Sequence, residues 1–209
     1  NNETEPQHKI SLIGHSMGAA VGSLYAASFP EHMDRLVLLE GAGPLARNPH
    51  DVSKHVRAHV EKRMQSNLSP RKPRIYPNLE VAVKTRCFTA KNFPGDQWLS
   101  TEAATELVLR GTERVGDGFR FRHDPRLQLP SCVYTTPDQG DAILKDIQCP
   151  TALFLAKQGW PFDEEKQNEL MELLKPAICV TLPGSHHFHA DPDTADAVAQ
   201  KVVDFFDFT

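Results

Sequence analysis

Gly14-His15-Ser16-Met17-Gly18 stands between an apolar run and a stretch of small residues, and no other feature restricts the fold as much. Residues 9–14 (KISLIG) read as a short buried parallel strand. Residues 17–29 carry Gly18, Ala19, Ala20, Gly22, Ala26 and Ala27, the composition of a helix packed closely on a sheet, and Pro30 stops it. A serine between strand and helix in a G-x-S-x-G frame sits on a sharp, strained turn, with the flanking glycines removing side chains that would clash. Such a turn lifts the Ser16 hydroxyl above the strand ends, at a helix N-terminus whose positive potential favours developing negative charge. Ser16 is the candidate nucleophile, and the backbone N–H of Met17 is a candidate oxyanion donor.

The rhythm continues. Residues 35–40 (RLVLLE) form a second buried strand, completing a βαβ unit with a right-handed crossover. It returns near the other end, with a strand at 151–156 (TALFLA), a helix at 163–174, and a strand at 177–182 (AICVTL). A helix at 194–206 closes it, with Ala197, Val198, Val202, Phe205 and Phe206 near one face. Between these halves the pattern turns helical, at 51–64, 79–88, 101–110 and 136–147, with a proline-punctuated basic linker at 69–77 (SPRKPRIYP). The expectation is an α/β fold, a mostly parallel sheet flanked by helices. Its core falls at 1–43 and 150–209, and a helical cap or lid at 44–149. A second packing layer without gating is the other reading of that interval.

The base belongs in the loop after the last strand. There the chain reads Pro183-Gly184-Ser185-His186-His187-Phe188-His189. His186 comes first after Gly184 and is the choice; His189 is second and His187 third. A metal reading would draw on His186, His189, Asp191 and Asp193, but no second cluster with ligand spacing exists elsewhere, so no metal is expected. For the acid, no carboxylate ends the 151–156 strand; Asp163 follows several residues later, in the position of a helix N-cap. Glu40 is the better candidate. A carboxylate closing the apolar run Leu36 to Leu39 is costly unless paired, and the N–H of His186 would pair it.

These stretches resemble the serine hydrolase-like proteins, a branch of the α/β-hydrolase superfamily. The likeness is carried by SLIGHSMGAAVG around Ser16, RLVLLEGAGP around Glu40, LVLRGTERVGDGFRFRHDPRL at 107–127 and PGSHHFH around His186. The resemblance implies an α/β-hydrolase with a helical cap acting on an ester or similar bond. It also implies an acid after the strand that follows the nucleophile helix, which favours Glu40. Haloalkane dehalogenases share that placement but use an aspartate nucleophile, so Ser16 argues against dehalogenation. The family's sheet carries several strands before the elbow strand, and a His-Gly type oxyanion loop among them. The chain opens at Asn1, without Met, close to its first strand. The expectation is therefore roughly ninety further residues upstream, judged by the ordinary size of one-domain folds. With them would go the second oxyanion donor, whose loss typically costs about a hundred- to a thousand-fold in rate, and the neighbour of the 9–14 strand, leaving that strand as an exposed apolar edge. Within 118–126 (GFRFRHDPR) the expectation is a short strand and turn, with Arg122 and Arg126 paired to Asp124 and neighbouring carboxylates.

Composition bounds the rest. The 209 residues carry a net charge of −4, which gives no global attraction to nucleic acid or anionic lipid. No run of 18 apolar residues exists to span a bilayer. Cys87, Cys132, Cys149 and Cys179 match no zinc or redox spacing and read as reduced thiols in a cytoplasmic-type compartment. The expected function is hydrolysis of a small, mainly apolar acyl substrate by Ser16, His186 and Glu40 without cofactor. The alternatives are a non-catalytic binder on the same fold, or an inactive fragment. Oligomeric state is not legible.

Overall fold

The computed structural model describes residues 8–68, 73–92, 94–95, 97–161 and 164–207. Four strands, β1 (Ile10–His15), β2 (Met33–Leu39), β5 (Thr151–Gln158) and β6 (Ile178–Ser185), form one parallel sheet in the order β1-β2-β5-β6. A hairpin of β3 (Thr112–Val115) and β4 (Gly118–Phe121) stands apart from it. The helices are α1 (Met17–Ser28), α2 (Val52–Leu68), α3 (Leu79–Ala90), α4 (Thr101–Gly111), α5 (Pro137–Lys145), α6 (Glu164–Leu174) and α7 (Pro192–Asp207).

The near-continuous apolar runs of β2 and β5 follow from burial on both faces. Alternation then sends Leu36, Leu38, Leu153 and Leu155 into one core with Ala19 and Ala26 of α1, Leu144 of α5, and Leu170 and Leu174 of α6. Val37, Leu39, Ala152, Phe154 and Ala156 point the other way, onto Val198 and Phe205 of α7 and Phe188. Helix α1 approaches closely because its inner face is Ala19, Gly22, Ser23 and Ala26. Ala197 of α7 is exposed, against the expectation that it joins the inner face.

Strand β1 is more open than a central parallel strand. It pairs with β2 alone among the described residues, and Ile10 and Ile13 are 45% and 53% exposed. A strand hydrogen-bonded along one side leaves its other flank to solvent, and residues 9–14 form the exposed apolar edge expected of them.

The interval 44–149 is not uniform. Helices α3 and α4 build a separate small core with Tyr76, Ala82, Val83, Leu99, Ala103, Ala104 and Val108. Asn78 and Ser100 cap them, accepting from Val81 N and Ala103 N. Tyr76 bridges to Phe119 of β4 through two backbone hydrogen bonds of 2.8 Å. Helix α5, started by the Thr136/Gln139 capping box, packs instead beside α1 and α6, and its Leu144 lies in the sheet's core.

Candidate active site

Parallel register delivers three side chains to one edge of the sheet. His15 lies opposite Leu39, Leu39 opposite Phe154, and Gln158 opposite Ser185. Ser16, Glu40 and His186 each come one residue after a member of those pairs. Ser16 N donates to Leu39 O and Glu40 N to Phe154 O, both at 2.9 Å, so the pairing continues through the turns. Both residues adopt φ 53, a left-handed conformation rare for side-chain-bearing residues and held here by the strands on either side. At the elbow, a Cβ on Gly14 would lie 2.5 Å from Gly18 O, whereas one on Gly18 would meet nothing within 4 Å. The close approach therefore constrains Gly14 and not both glycines.

His186 Nε2 lies 2.8 Å from Ser16 Oγ, and His186 Nδ1 lies 3.1 Å from Glu40 Oε2. A carboxylate only accepts, so Nδ1 carries the proton and Nε2 accepts from the Ser16 hydroxyl. Glu40 and His186 are 3% and 4% exposed. Burial of the Glu40 carboxylate is compensated by two more donors, Ala156 N to Oε1 and Trp160 N to Oε2 at 2.8 Å. Those amides come from the end of β5 and the turn after it, the segment that has no carboxylate of its own. Gly159 in that turn is what makes room, because a Cβ there would overlap the Glu40 carboxylate. Asp163, the alternative acid, lies outside the described residues. Met17 opens α1, so its N–H has no intrahelical acceptor, and its side chain is 65% exposed.

Several contributors carry no motif. Gln97 accepts from His186 N at 2.9 Å and donates to the carbonyls of Gly159 at 2.6 Å and Gln158 at 3.1 Å. One side chain thus ties the histidine loop to the β5 turn that binds Glu40. Ser185 Oγ donates to Trp98 O beside it. His15, within the elbow motif, donates from Nε2 to His186 O at 2.7 Å. Its ring lies among His186, His187 and His189 at centroid distances of 4.7, 5.4 and 4.1 Å. Burial, then His189 and the other neighbouring imidazoles, push the His15 pKa down to about 3 despite that hydrogen bond. His187 is held to about 3 by burial and by Arg86, and His189 is lowered by burial and His186. The second and third choices for the base are thus neutral ring neighbours of the His186 cluster. His189 Nδ1 is buried without a hydrogen-bond partner.

Among the described residues no group of three or more His, Cys, Asp or Glu side chains is arranged to hold a metal. A depression of about 680 Å³ between the 73–76 segment and the β4 turn is lined by Arg74, Tyr76, Arg120, Arg122 and Asp124, and by none of Ser16, Glu40 or His186. There Arg126 pairs with Asp124 and Arg120 with Glu113, as surface ion pairs, while among the described residues no ion pair is formed by Arg122. All four cysteines are free thiols, Cys132 and Cys179 exposed.

Residues 3–191 match the family model described as alpha/beta hydrolase fold. A serine hydrolase-like protein of Dictyostelium discoideum is 30% identical over 211 residues, covering 94% of this chain and 55% of that protein. A serine hydrolase-like protein of Danio rerio is 27% identical, covering 94% of this chain and 60% of its own length. The chain thus spans little more than half the length of these curated relatives. Among solved structures, a hypothetical protein from Pseudomonas aeruginosa aligns with a TM-score of 0.83 at 33% identity, over 96% of this chain and 68% of that one. A thioesterase domain from the curacin biosynthetic pathway aligns with a TM-score of 0.68 at 24% identity, over 95% and 66% of the two chains, a likeness of fold.

Proposed function

From the premise that this chain belongs to the α/β-hydrolase fold family, we propose that it is a serine hydrolase cleaving an ester or similar acyl bond. The observation that carries the reading is a single imidazole, His186, bonded on one side to a hydroxyl and on the other to a buried carboxylate.

In the proposed mechanism the Ser16 hydroxyl passes its proton to His186 Nε2 as Oγ attacks the acyl carbon. The resulting imidazolium is stabilised by Glu40, which also keeps the ring in the tautomer that can accept a proton. Negative charge on the acyl oxygen is met by the Met17 N–H at the start of α1. Collapse breaks the bond to the leaving group, which takes the proton from Nε2 and departs as an alcohol. Water then attacks the acyl-serine with His186 again as base, releasing the acid and restoring the hydroxyl. No step calls for a metal or an organic cofactor. Helices α3 and α4 with the β3–β4 hairpin are assigned to the cap, and α5, though within 44–149, to the core. A small, mainly apolar substrate is supported by the exposed Met17, Trp98 and Trp160 side chains, the Trp160 ring lying 5.9 Å from that of His186.

The test is covalent labelling with a fluorophosphonate, with the modified peptide identified by mass. Wild type is expected to label at Ser16. Ser16→Ala should not label, and His186→Ala should label slower by a factor on the order of 10⁶. A folded full-length protein that fails to label would overturn the reading and leave a binding role for the fold.

A further inference from the structure

Arg86 on α3 has a histidine of the candidate site's loop, not a carboxylate, as its side-chain neighbour. Arg57, Arg120 and Arg126 each pair with a carboxylate at the surface. The Arg86 guanidinium is partly buried and meets no carboxylate within ion-pair distance among the described residues. Its hydrogen-bond partner is His187, with Arg86 Nη2 3.2 Å from His187 Nε2. A guanidinium has five N–H donors and cannot accept, so His187 Nε2 is the acceptor and His187 is neutral. The depressed pKa of His187 agrees with this, and burial likewise lowers that of Arg86. Among the described residues one donor is used and no counter-charge lies within ion-pair distance of this partly buried cation, a costly arrangement for packing alone.

Its position gives that charge a use. The His187 ring lies 5.2 Å from the ring of His186 and perpendicular to it, and His186 bonds Ser16. The guanidinium therefore stands one imidazole away from the proposed base, on the inserted segment rather than on the sheet. The nearby carboxylate of Glu40 is already committed to His186, Ala156 and Trp160.

We propose that Arg86 receives an anionic group of the substrate, so that the preferred substrates are acyl esters whose apolar body ends in a carboxylate. The proposal rests on the hydrolase reading and narrows its substrate class. Planar guanidinium and carboxylate match in a two-point contact, and the surrounding desolvation strengthens it. Held at that end, the acyl carbon would be positioned toward Ser16 by a fixed spacer.

The experiment compares the mono-4-nitrophenyl ester of glutaric acid with the same ester whose free carboxylate is methylated. Wild type is expected to favour the carboxylate by about tenfold or more in kcat/KM, the range for one charge-assisted contact. Arg86→Gln should collapse that ratio towards one, and Arg86→Lys should retain part of it. A wild-type ratio near one, or an Arg86→Gln loss equal for both esters, overturns the proposal, the second outcome marking Arg86 as a support for His187. Calorimetric binding of glutarate separates this failure from failure of the hydrolase reading. Binding that is present in wild type and lost in folded Arg86→Gln supports the anion site even without turnover. Absence of glutarate binding to a wild type that labels at Ser16 overturns it.

Discussion

The carboxylate of Glu40 fills the space beside Gly159 that any side chain at that position would need. The two residues come from different strand ends, yet the turn after β5 is shaped as the receptor for an acid delivered from β2. Gly159→Ala should therefore displace the carboxylate and, through it, His186. A misplacement of about 1 Å in such an array costs on the order of 100-fold in rate, read as the rate of fluorophosphonate labelling. A Gly159→Ala protein that labels at the wild-type rate would show that the turn yields without disturbing the acid.

Strand ends were readable because each of Ser16, Glu40 and His186 interrupts a strong local pattern. A serine stands between glycines at a strand-to-helix change, a charge ends RLVLLE, and histidines crowd a strand-to-helix loop. The doubly covered strands were readable for the same reason, as runs with no polar face. The supports were not, because they are made by tertiary contact alone. Gln97 lies 89 residues from His186 in a segment without periodicity, and nothing local distinguishes its amide from a solvated one. Gly159 carried a faint signal, a glycine after a strand that lacks the usual acid. Helix α5 fell in the inserted interval by sequence order, whereas its amphipathic face, through Leu144, joins the core under α1 and α6.

Gln97 gives the second prediction. Gln97→Leu keeps the size of the side chain but leaves His186 N and the carbonyls of Gln158 and Gly159 without their partner. Each buried polar group so stranded costs about 1–3 kcal/mol, so the melting temperature should fall by several degrees, with about 2–4 °C per kcal/mol at this chain length. Labelling of Ser16 should slow further than Gln97→Glu slows it, since the carboxylate still accepts from His186 N. Equal rates in the two variants would mean that Gln97 supports the fold without positioning the base.

Stability should depend on pH through His15 and His187. Both stay neutral in the folded protein down to about 3, while in the unfolded chain they titrate near 6.5. Below that value the unfolded state binds the extra protons, so folding free energy is fully retained above about pH 6.5 and is lost progressively as pH falls towards 3. Two such groups give a slope of roughly 2.7 kcal/mol per pH unit at its steepest, from about 1.36 for each proton. Denaturant melts between pH 7.5 and 4.5 measure it. His189, whose pKa is also lowered, adds in the same direction, so His187→Gln should remove one group's share of the slope; an unchanged slope would show that His187 is protonated in the folded state.

Glu40→Gln tests the tautomer argument directly. The carboxylate accepts from three donors, Ala156 N, Trp160 N and His186 Nδ1–H. A carboxamide has one accepting oxygen, so whichever way it is turned, its NH₂ faces at least one of these N–H groups. Turned towards His186, it donates to Nδ1 and moves the ring proton to Nε2, where it faces the Ser16 hydroxyl and blocks proton transfer. The comparable change in a serine triad lowers kcat on the order of 10⁴-fold with the geometry kept, and labelling of Ser16 should fall by a similar factor. Glu40→Asp retains the accepting chemistry but shortens the reach, so it should lose less. If Glu40→Gln labels within about tenfold of wild type, the carboxylate serves the β5 turn and not the imidazole, and the acid must be sought elsewhere.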